Sequence, residues 1–330
     1  MKSTKKTFCL IPFLIIAIFA STICSQQIIT DDHSNLIIHH FISLTKSSTW
    51  KVEKKIKLNF DTFHPQGMVK IGEYFYLSSV ETIIKPQKFE TLKNGYDRSP
   101  GKGVGHLFKF DHSGNLIAEI NLGEGIIYHP GGIDFDGKYI WVPVTEYRPN
   151  SRSIIYRINS ANCEVTKVFR FNDHIGAVAF NRCRNTLHGV SWGSRRFYTW
   201  KLDQLSLDMN CKNLDEYQIP EYEMKLNSNH YIDYQDCHYV ADHYMLCNGL
   251  NKYTIPNVGE VAFGGMDLVD LDLCLAVHQV PLNYWIKREL VISNNPFYFE
   301  LIENQLKFYF IPEDNKSKLY VFKIDLDSSE

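Results

Sequence analysis

The chain lacks a CxxC pair, an excess of charge of either sign, and any apolar run of the length usual for a membrane span. Each absence excludes something. Without paired CxxC motifs, a structural zinc site built from cysteines is not expected. A formal net charge of −2 over 330 residues projects no global field, so neither nucleic acid nor an anionic membrane is an expected partner. The longest apolar run, Phe8 to Ala20, is short for a transmembrane helix. Ser194, in the polar turn Ser191-Trp192-Gly193-Ser194-Arg195, is not the serine of a G-x-S-x-G elbow, so a serine hydrolase reading built on it is weak. Helical signal is scarce too. Nowhere does an apolar stripe of period 3.6 persist beyond a turn or two, so helices should be few.

What is present is aromatic and alternating. There are 19 Tyr and 21 Phe, and 44% of the chain is hydrophobic, ample for one large domain built of strands. At the N-terminus Lys2, Lys5 and Lys6 precede the apolar run, and small polar residues follow at Ser21 to Ser25. This reads as a signal peptide over residues 1–25, cleaved near Ser25, with a retained signal anchor as the alternative. Cleavage implies a secreted or secretory-lumen protein with no stable membrane span. Six cysteines then remain, at 163, 183, 211, 237, 247 and 274. An even number in a secreted chain permits disulfides. Cys237 and Cys247 flank a short hairpin and would face one another on paired strands; Cys163 and Cys183 fall in neighbouring hairpins and could also pair. The sequon Asn315-Lys316-Ser317 marks a possible glycoprotein.

The organising stretch is HPGGIDFDGKYIWVPVTEY, His129 to Tyr147. It divides into two strands around Asp136-Gly137, a two-residue signal for a type I′ turn in which Gly supplies φ > 0. Pro143 has no N–H for a ladder, so the second strand should end or bulge there. Gly131-Gly132 suggests backbone packed where a side chain would not fit. The pattern has an earlier copy, HPQGMVKIGEYFYLSSVE, in which His64, Tyr74 and Glu81 match His129, Tyr139 and Glu146. A repeated hairpin of this kind marks a propeller blade.

Counting repeats gives an all-β fold, a β-propeller of five blades with six as the alternative, over residues 50–327. Blades open at His64, His129, His174 and Tyr234. The third is expected to end near Pro220, and the last has only three strands of its own. The lone strand Trp50 to Leu58 has no hairpin partner and is expected to complete that blade, closing the ring. Residues 26–49 are a leader carrying an apolar patch, Leu36 to Leu44. A β-sandwich of similar strand count is the competing architecture, although it does not predict matched repeats.

In such a ring the residues opening the inner strands gather at one channel mouth. Three of them, His64, His129 and His174, are candidate ligands for a divalent metal, or structural rings bonded to neighbouring blades. Loops on that face carry Glu81 and Glu146, candidate general acids or bases or else partners for loop arginines. They also carry Tyr147, Arg148, Trp192, Arg195 and Arg196, suited to stacking and bidentate contacts, and Asp236 opens the fourth blade. Residues 82–105 are expected to form a long polar loop, a candidate lid or recognition loop.

The strings HPGGIDFDGKYIWVPVTEYRPNS and LHGVSWGSRRFYTW resemble a family of secreted and bacterial proteins known only as a domain of unknown function. The likeness covers most of the mature chain. More distantly the chain is similar to propeller lactonases and strictosidine-synthase-like proteins, whose inner strands often open with Pro-Glu-Gly. Here the matching motifs are Pro65-Gln66-Gly67 and Pro130-Gly131-Gly132, and the metal-binding Glu of the lactonases is absent from both. The resemblance therefore implies a fold without calcium-dependent hydrolysis. Two functions are consistent with these residues. One is a secreted binding propeller that presents its mouth to a small-molecule, carbohydrate, peptide or protein ligand. The other is a metal-assisted hydrolase or lyase, with the histidines holding the ion and Glu81 or Glu146 as base.

Overall fold

A computed structural model describes residues 34–203 and 219–325. The expected signal peptide, the first part of the leader and Cys211 lie outside the described residues. Repeated alternation of apolar and polar residues, broken by Gly- and Asn-bearing turns, yields five four-stranded antiparallel blades. The last blade is completed by the first strand of the chain, β1 (Thr49–Lys57).

Blade one is β2 (His64–Ile71) and β3 (Tyr74–Ile84), then, beyond a small protruding hairpin of β4 (Lys88–Lys93) and β5 (Tyr96–Arg98), β6 (Lys102–Asp111) and β7 (Leu116–Leu122). Blade two has a divided inner strand, β8 (Ile127–Pro130) and β9 (Asp134–Phe135), followed by β10 (Tyr139–Glu146), β11 (Ser153–Asn159) and β12 (Val165–Phe171). Blade three comprises β13 (Ile175–Asn181), β14 (Thr186–Ser191), β15 (Arg196–Lys201) and β16 (Tyr222–Leu226). Blade four comprises β17 (Asp233–Ala241), β18 (Tyr244–Ile255), β19 (Gly259–Asp270) and β20 (Leu275–Leu282). A short pair, β21 (Trp285–Lys287) and β22 (Leu290–Val291), leads to blade five: β23 (Phe297–Ile302), β24 (Gln305–Phe310) and β25 (Lys318–Asp325). The expected closure is present, with Thr49 opposite Asp325 and Lys57 opposite Lys318.

The core follows the ring. Five apolar clusters fill the five blade interfaces in turn: Val69 and Val142 between blades one and two, Trp141 and Trp200 between two and three, Ala177 and Met245 between three and four. Met266 and Phe308 join blades four and five, and Phe75 and Ile311 join five to one. Burying each large side chain contributes about 1.5–3 kcal/mol.

Residues 34–42 of the leader, whose structure the sequence left open, form a short helix, and its Ile37 and Phe41, with Leu44 just beyond, pack into the cluster between blades four and five. Four sequence expectations need correction. The segment 82–105 is not an irregular loop: β3 runs on to Ile84 and the β4–β5 hairpin follows. The fourth strand of blade three lies past Pro220, at Tyr222–Leu226. The strand β10 passes unbroken through Pro143, whose carbonyl accepts from Gly131 N; the break falls on the facing strand instead. Asp136 is not among the residues with positive φ, so its turn is not type I′, although Gly137 does take φ +106°.

The cysteine expectations divide. Cys237 and Cys247 sit directly opposite one another on β17 and β18 and form a disulfide. Cys163 and Cys183 are free, and Cys183 accepts a hydrogen bond from Tyr239 Oη at 3.2 Å. Among the described residues, no helix is long and apolar enough to cross a membrane.

Candidate functional site

Glycine sets how closely the inner strands approach the axis. A Cβ on Gly131 would lie 2.1 Å from Gly176 O, and one on Gly132 would lie 2.6 Å from Asp236 Oδ1. This close approach lets one buried carboxylate tie three blades. Asp236 accepts from Met68 N at 2.9 Å, Ile133 N at 3.0 Å and Cys237 N at 3.1 Å. A second, Asp134, accepts from Phe180 N and Tyr239 N at 2.8 and 3.1 Å. Between them His238 lies 3.5 Å from Asp134 and 3.4 Å from Asp236. Burial opposes its positive charge, but the two carboxylates outweigh that and hold the imidazolium up to about 10. Asp236 is thus a fully buried axial tether, away from the mouth where the sequence pattern placed it.

The three repeat histidines lie in a row at the mouth. The centroids of His64 and His129 are 6.3 Å apart, and those of His129 and His174 are 6.2 Å apart. Their surroundings differ. His64 donates from Nδ1 to Asp314 at 2.9 Å. Burial alone would raise the Asp314 carboxyl, but the bond from His64 holds it below its usual range. His174 donates from Nδ1 to the Glu146 carbonyl at 3.0 Å, and burial pushes its pKa down to about 4. His129 is only 5% exposed, and neither of its ring nitrogens has a hydrogen-bond partner. Burial, with His174 and His64 adding to it, pushes this imidazole well below its ordinary value, so it is neutral. A neutral imidazole offers one donor and one acceptor. Among the described residues, no group of three or more His, Cys, Asp or Glu side chains is arranged to hold a metal ion.

Two cavities meet at this row. One of about 250 Å³ is lined by all three histidines together with Tyr147 and Trp192. The other, about 620 Å³, shares His64 and Tyr147 and extends past Phe63, Glu81, Lys85 and Arg98. Tyr147 covers His129 with ring centroids 4.1 Å apart, and Trp192 meets His174 edge-on at 4.7 Å.

Of the two acidic candidates, Glu81 faces the larger cavity and lies 3.9 Å from His106 Nε2. Glu146 is fully buried, and its oxygens are taken by Arg148 Nε at 2.6 Å and Arg152 Nε at 2.8 Å. Arg148 is consumed by that pair and by Tyr96, whose ring it covers at 3.4 Å. Arg195 pairs with Asp233 at 3.0 Å at the rim. Arg196 pairs with Asp173 and contacts Asn150, so it joins blades and does not line the mouth.

Sequence reasoning expected a loop over the mouth at 82–105 but missed that it folds as the β4–β5 hairpin. Its Arg98 lies over Trp192 at 4.9 Å, and Pro100 just beyond it accepts from Tyr128 Oη at 2.8 Å. The hairpin from blade one therefore reaches blades two and three across the mouth. Its signal was Asn94-Gly95, where both residues take positive φ as a two-residue type I′ turn requires.

Residues 20–327 match the model of the family described as "Family of unknown function (DUF6454)". No curated protein matches the chain. Among solved structures, a luciferin-regenerating enzyme is similar at 8% identity and TM-score 0.44, covering 84% of this chain and 95% of that one. An exo-1,5-alpha-L-arabinanase from a bovine ruminal metagenomic library is similar at 12% identity and TM-score 0.47, covering 82% and 96%. Hydrazine synthase of Kuenenia stuttgartiensis is similar at 10% identity and TM-score 0.38 over 78% of this chain, which spans 58% of the synthase chain. Similarities of this size attach no activity to the chain.

Proposed function

As the chain belongs to the DUF6454 family of unknown function, we propose that it is a secreted β-propeller that binds a small-molecule, glycan or protein ligand in the cleft at its channel mouth. The observation that carries this is His129: a neutral imidazole, buried beside a cavity, with both nitrogens unpartnered. Leaving a buried polar group unpaired costs about 1–3 kcal/mol, and a ligand that supplies one acceptor and one donor recovers it. Tyr147 and Trp192, neighbouring rings in the lining of the same cavity, supply aromatic surface. Secretion draws support from the Lys-flanked apolar run at the N-terminus and from the Cys237–Cys247 disulfide, which suits an oxidising compartment.

The test is nuclear magnetic resonance of the histidine rings in the mature protein, titrated with panels of saccharides, short peptides and small carboxylates. One class should move the His129 ring signals, and His129→Leu should abolish its binding. Ring signals that stay put across all three panels would overturn the proposal.

A metal-assisted hydrolase or lyase is the second reading. His64 and His174 favour it, because each has Nδ1 fixed by an oxygen acceptor and Nε2 left with its lone pair when the ring is neutral, the usual arrangement behind metal-bound imidazoles. The rings would have to draw together to share one ion. Metal analysis of the purified mature protein decides this: a stoichiometric ion lost in His129→Leu supports it, and binding of an organic ligand by metal-free protein argues against it.

A further inference from the structure

The cleft does not end at the histidines. The cavity holding them shares Trp192, Gly193 and Asp233 with a third, about 450 Å³, whose far wall is Asn251 and Tyr253 on the overhanging end of β18. Three cavities thus run end to end across the mouth, from the junction of blades five and one to the rim of blade four, with His129 below the middle. Aromatic rings recur along the groove at Phe63, Tyr147, Trp192 and Tyr253. Its charges are largely spent on one another. Arg98 pairs with Asp97 at 2.8 Å and Arg195 with Asp233 at 3.0 Å, and Asp314 accepts a hydrogen bond from His64 at 2.9 Å. Glu81 lies near His106, which leaves Lys85, at the solvent end, without an ion-pair partner among the described residues.

We infer that the ligand is a linear, uncharged oligosaccharide lying across the mouth, with one sugar in the central cavity lined by His129 and Tyr147 and its neighbours in the two flanking cavities; this rests on the cleft being a binding site. Sugar rings present C–H faces to aromatic side chains, and their hydroxyls donate and accept at once. That matches a neutral imidazole with one donor and one acceptor nitrogen. An anionic chain would find the groove's cations already neutralised except at one end. A groove continuing on both sides of its deepest point suits an internal stretch of polymer, whereas one sugar would fill only the central cavity. An extended neutral peptide is the rival occupant, and it would bring a backbone N–H and C=O at every residue to be satisfied.

The experiment is isothermal titration calorimetry of the full mature chain with cello-, manno- and xylo-oligosaccharides of increasing length, alongside uncharged peptides of matching length. One saccharide series should gain affinity about tenfold from disaccharide to tetrasaccharide, equivalent to ~1.4 kcal/mol. Tyr253→Ala, at a half-exposed position where folding is not at stake, should remove that gain, and Trp192→Ala should weaken every length. Affinity independent of length would overturn the inference, as would preference for peptides. No response to any saccharide, while the His129 ring still responds to another class of compound, would overturn the saccharide and leave the binding cleft standing.

Discussion

The ring of Tyr147 lies over that of His129 with centroids 4.1 Å apart, and it closes off an imidazole whose two nitrogens have no partner. A buried polar group in this state is a liability to the fold. His129→Leu, which removes the unpaired atoms and keeps similar bulk, should raise unfolding stability by about 1–2 kcal/mol in the absence of ligand. The pH dependence has a definite sign. Folding holds His129 and His174 neutral, so below the unfolded value of about 6.5 the unfolded chain binds more protons and stability falls as pH drops toward 4. Each group contributes a slope of up to about 1.4 kcal/mol per pH unit there. Denaturant midpoints measured across that range should show a shallower fall in the variant. A less stable variant with an unchanged slope would mean that the ring has partners in the native state.

Access to His129 should depend on the β4–β5 hairpin. A two-stranded hairpin is marginal alone, and this one is fastened across the mouth by Arg148 against Tyr96 and by Arg98 against Trp192. Such contacts are worth about 0.5–2 kcal/mol each. Tyr96→Ala should loosen it and raise severalfold the rate at which diethyl pyrocarbonate acylates His129, followed by mass spectrometry. The buried His238, at the far end of the axis, provides the internal control. Equal rates in wild type and variant would make the hairpin a fixed ornament.

Closure of the ring gives a third expectation. Trp50 on β1 packs against Phe308, Phe310 and Phe322 at centroid distances of 5.1, 6.4 and 6.2 Å. A chain beginning at Phe60 would expose these rings and the edge of β25. It should be aggregation-prone and lose its cooperative unfolding transition. A monomeric product with unchanged melting would show that β1 adds nothing to the ring.

The propeller was legible because the first two blades repeat one motif at matched spacing, from His64 to Tyr74 and from His129 to Tyr139, and the fourth keeps that spacing from Tyr234 to Tyr244. Closure by β1 followed from a strand without a partner in a chain one strand short. The site was legible only in part. Repeat positions located the histidine row, since equivalent positions in a ring face one axis. They could not separate His129, without partners, from His174, whose Nδ1 is taken by a carbonyl. That difference comes from contacts between residues distant in sequence. Arg196 looked like a ligand-facing arginine because its pairing with Asp173 is set by tertiary geometry, whereas Arg148 pairs with Glu146 two residues away, the alternative the sequence had offered for that glutamate. The helix at 34–42 was hidden by its length, for Ile37 and Phe41 are too few to establish a period, and it is held by packing more than by intrinsic propensity.

The axis supplies the last prediction. His238 is kept protonated by Asp134 and Asp236 although it is buried, and the carboxylate of Asp236 also receives amides from blades one, two and four. Asp236→Asn preserves size and one acceptor oxygen but removes the charge opposite a buried cation. Breaking a buried pair from one side costs about 3–5 kcal/mol, so the variant should unfold at markedly lower denaturant. The wild type should also show a specific loss at high pH. The folded state of His238 binds its proton up to about 10 and the unfolded one only to about 6.5. Its contribution is therefore complete below 6.5 and declines as pH rises through that window. Asp236→Asn should flatten the decline, since the imidazole loses one of the two carboxylates that retain its proton. The same alkaline slope in both proteins would mean that Asp134 alone holds the charge. An unchanged midpoint would mean that Asp236 acts only as an acceptor for the three backbone amides.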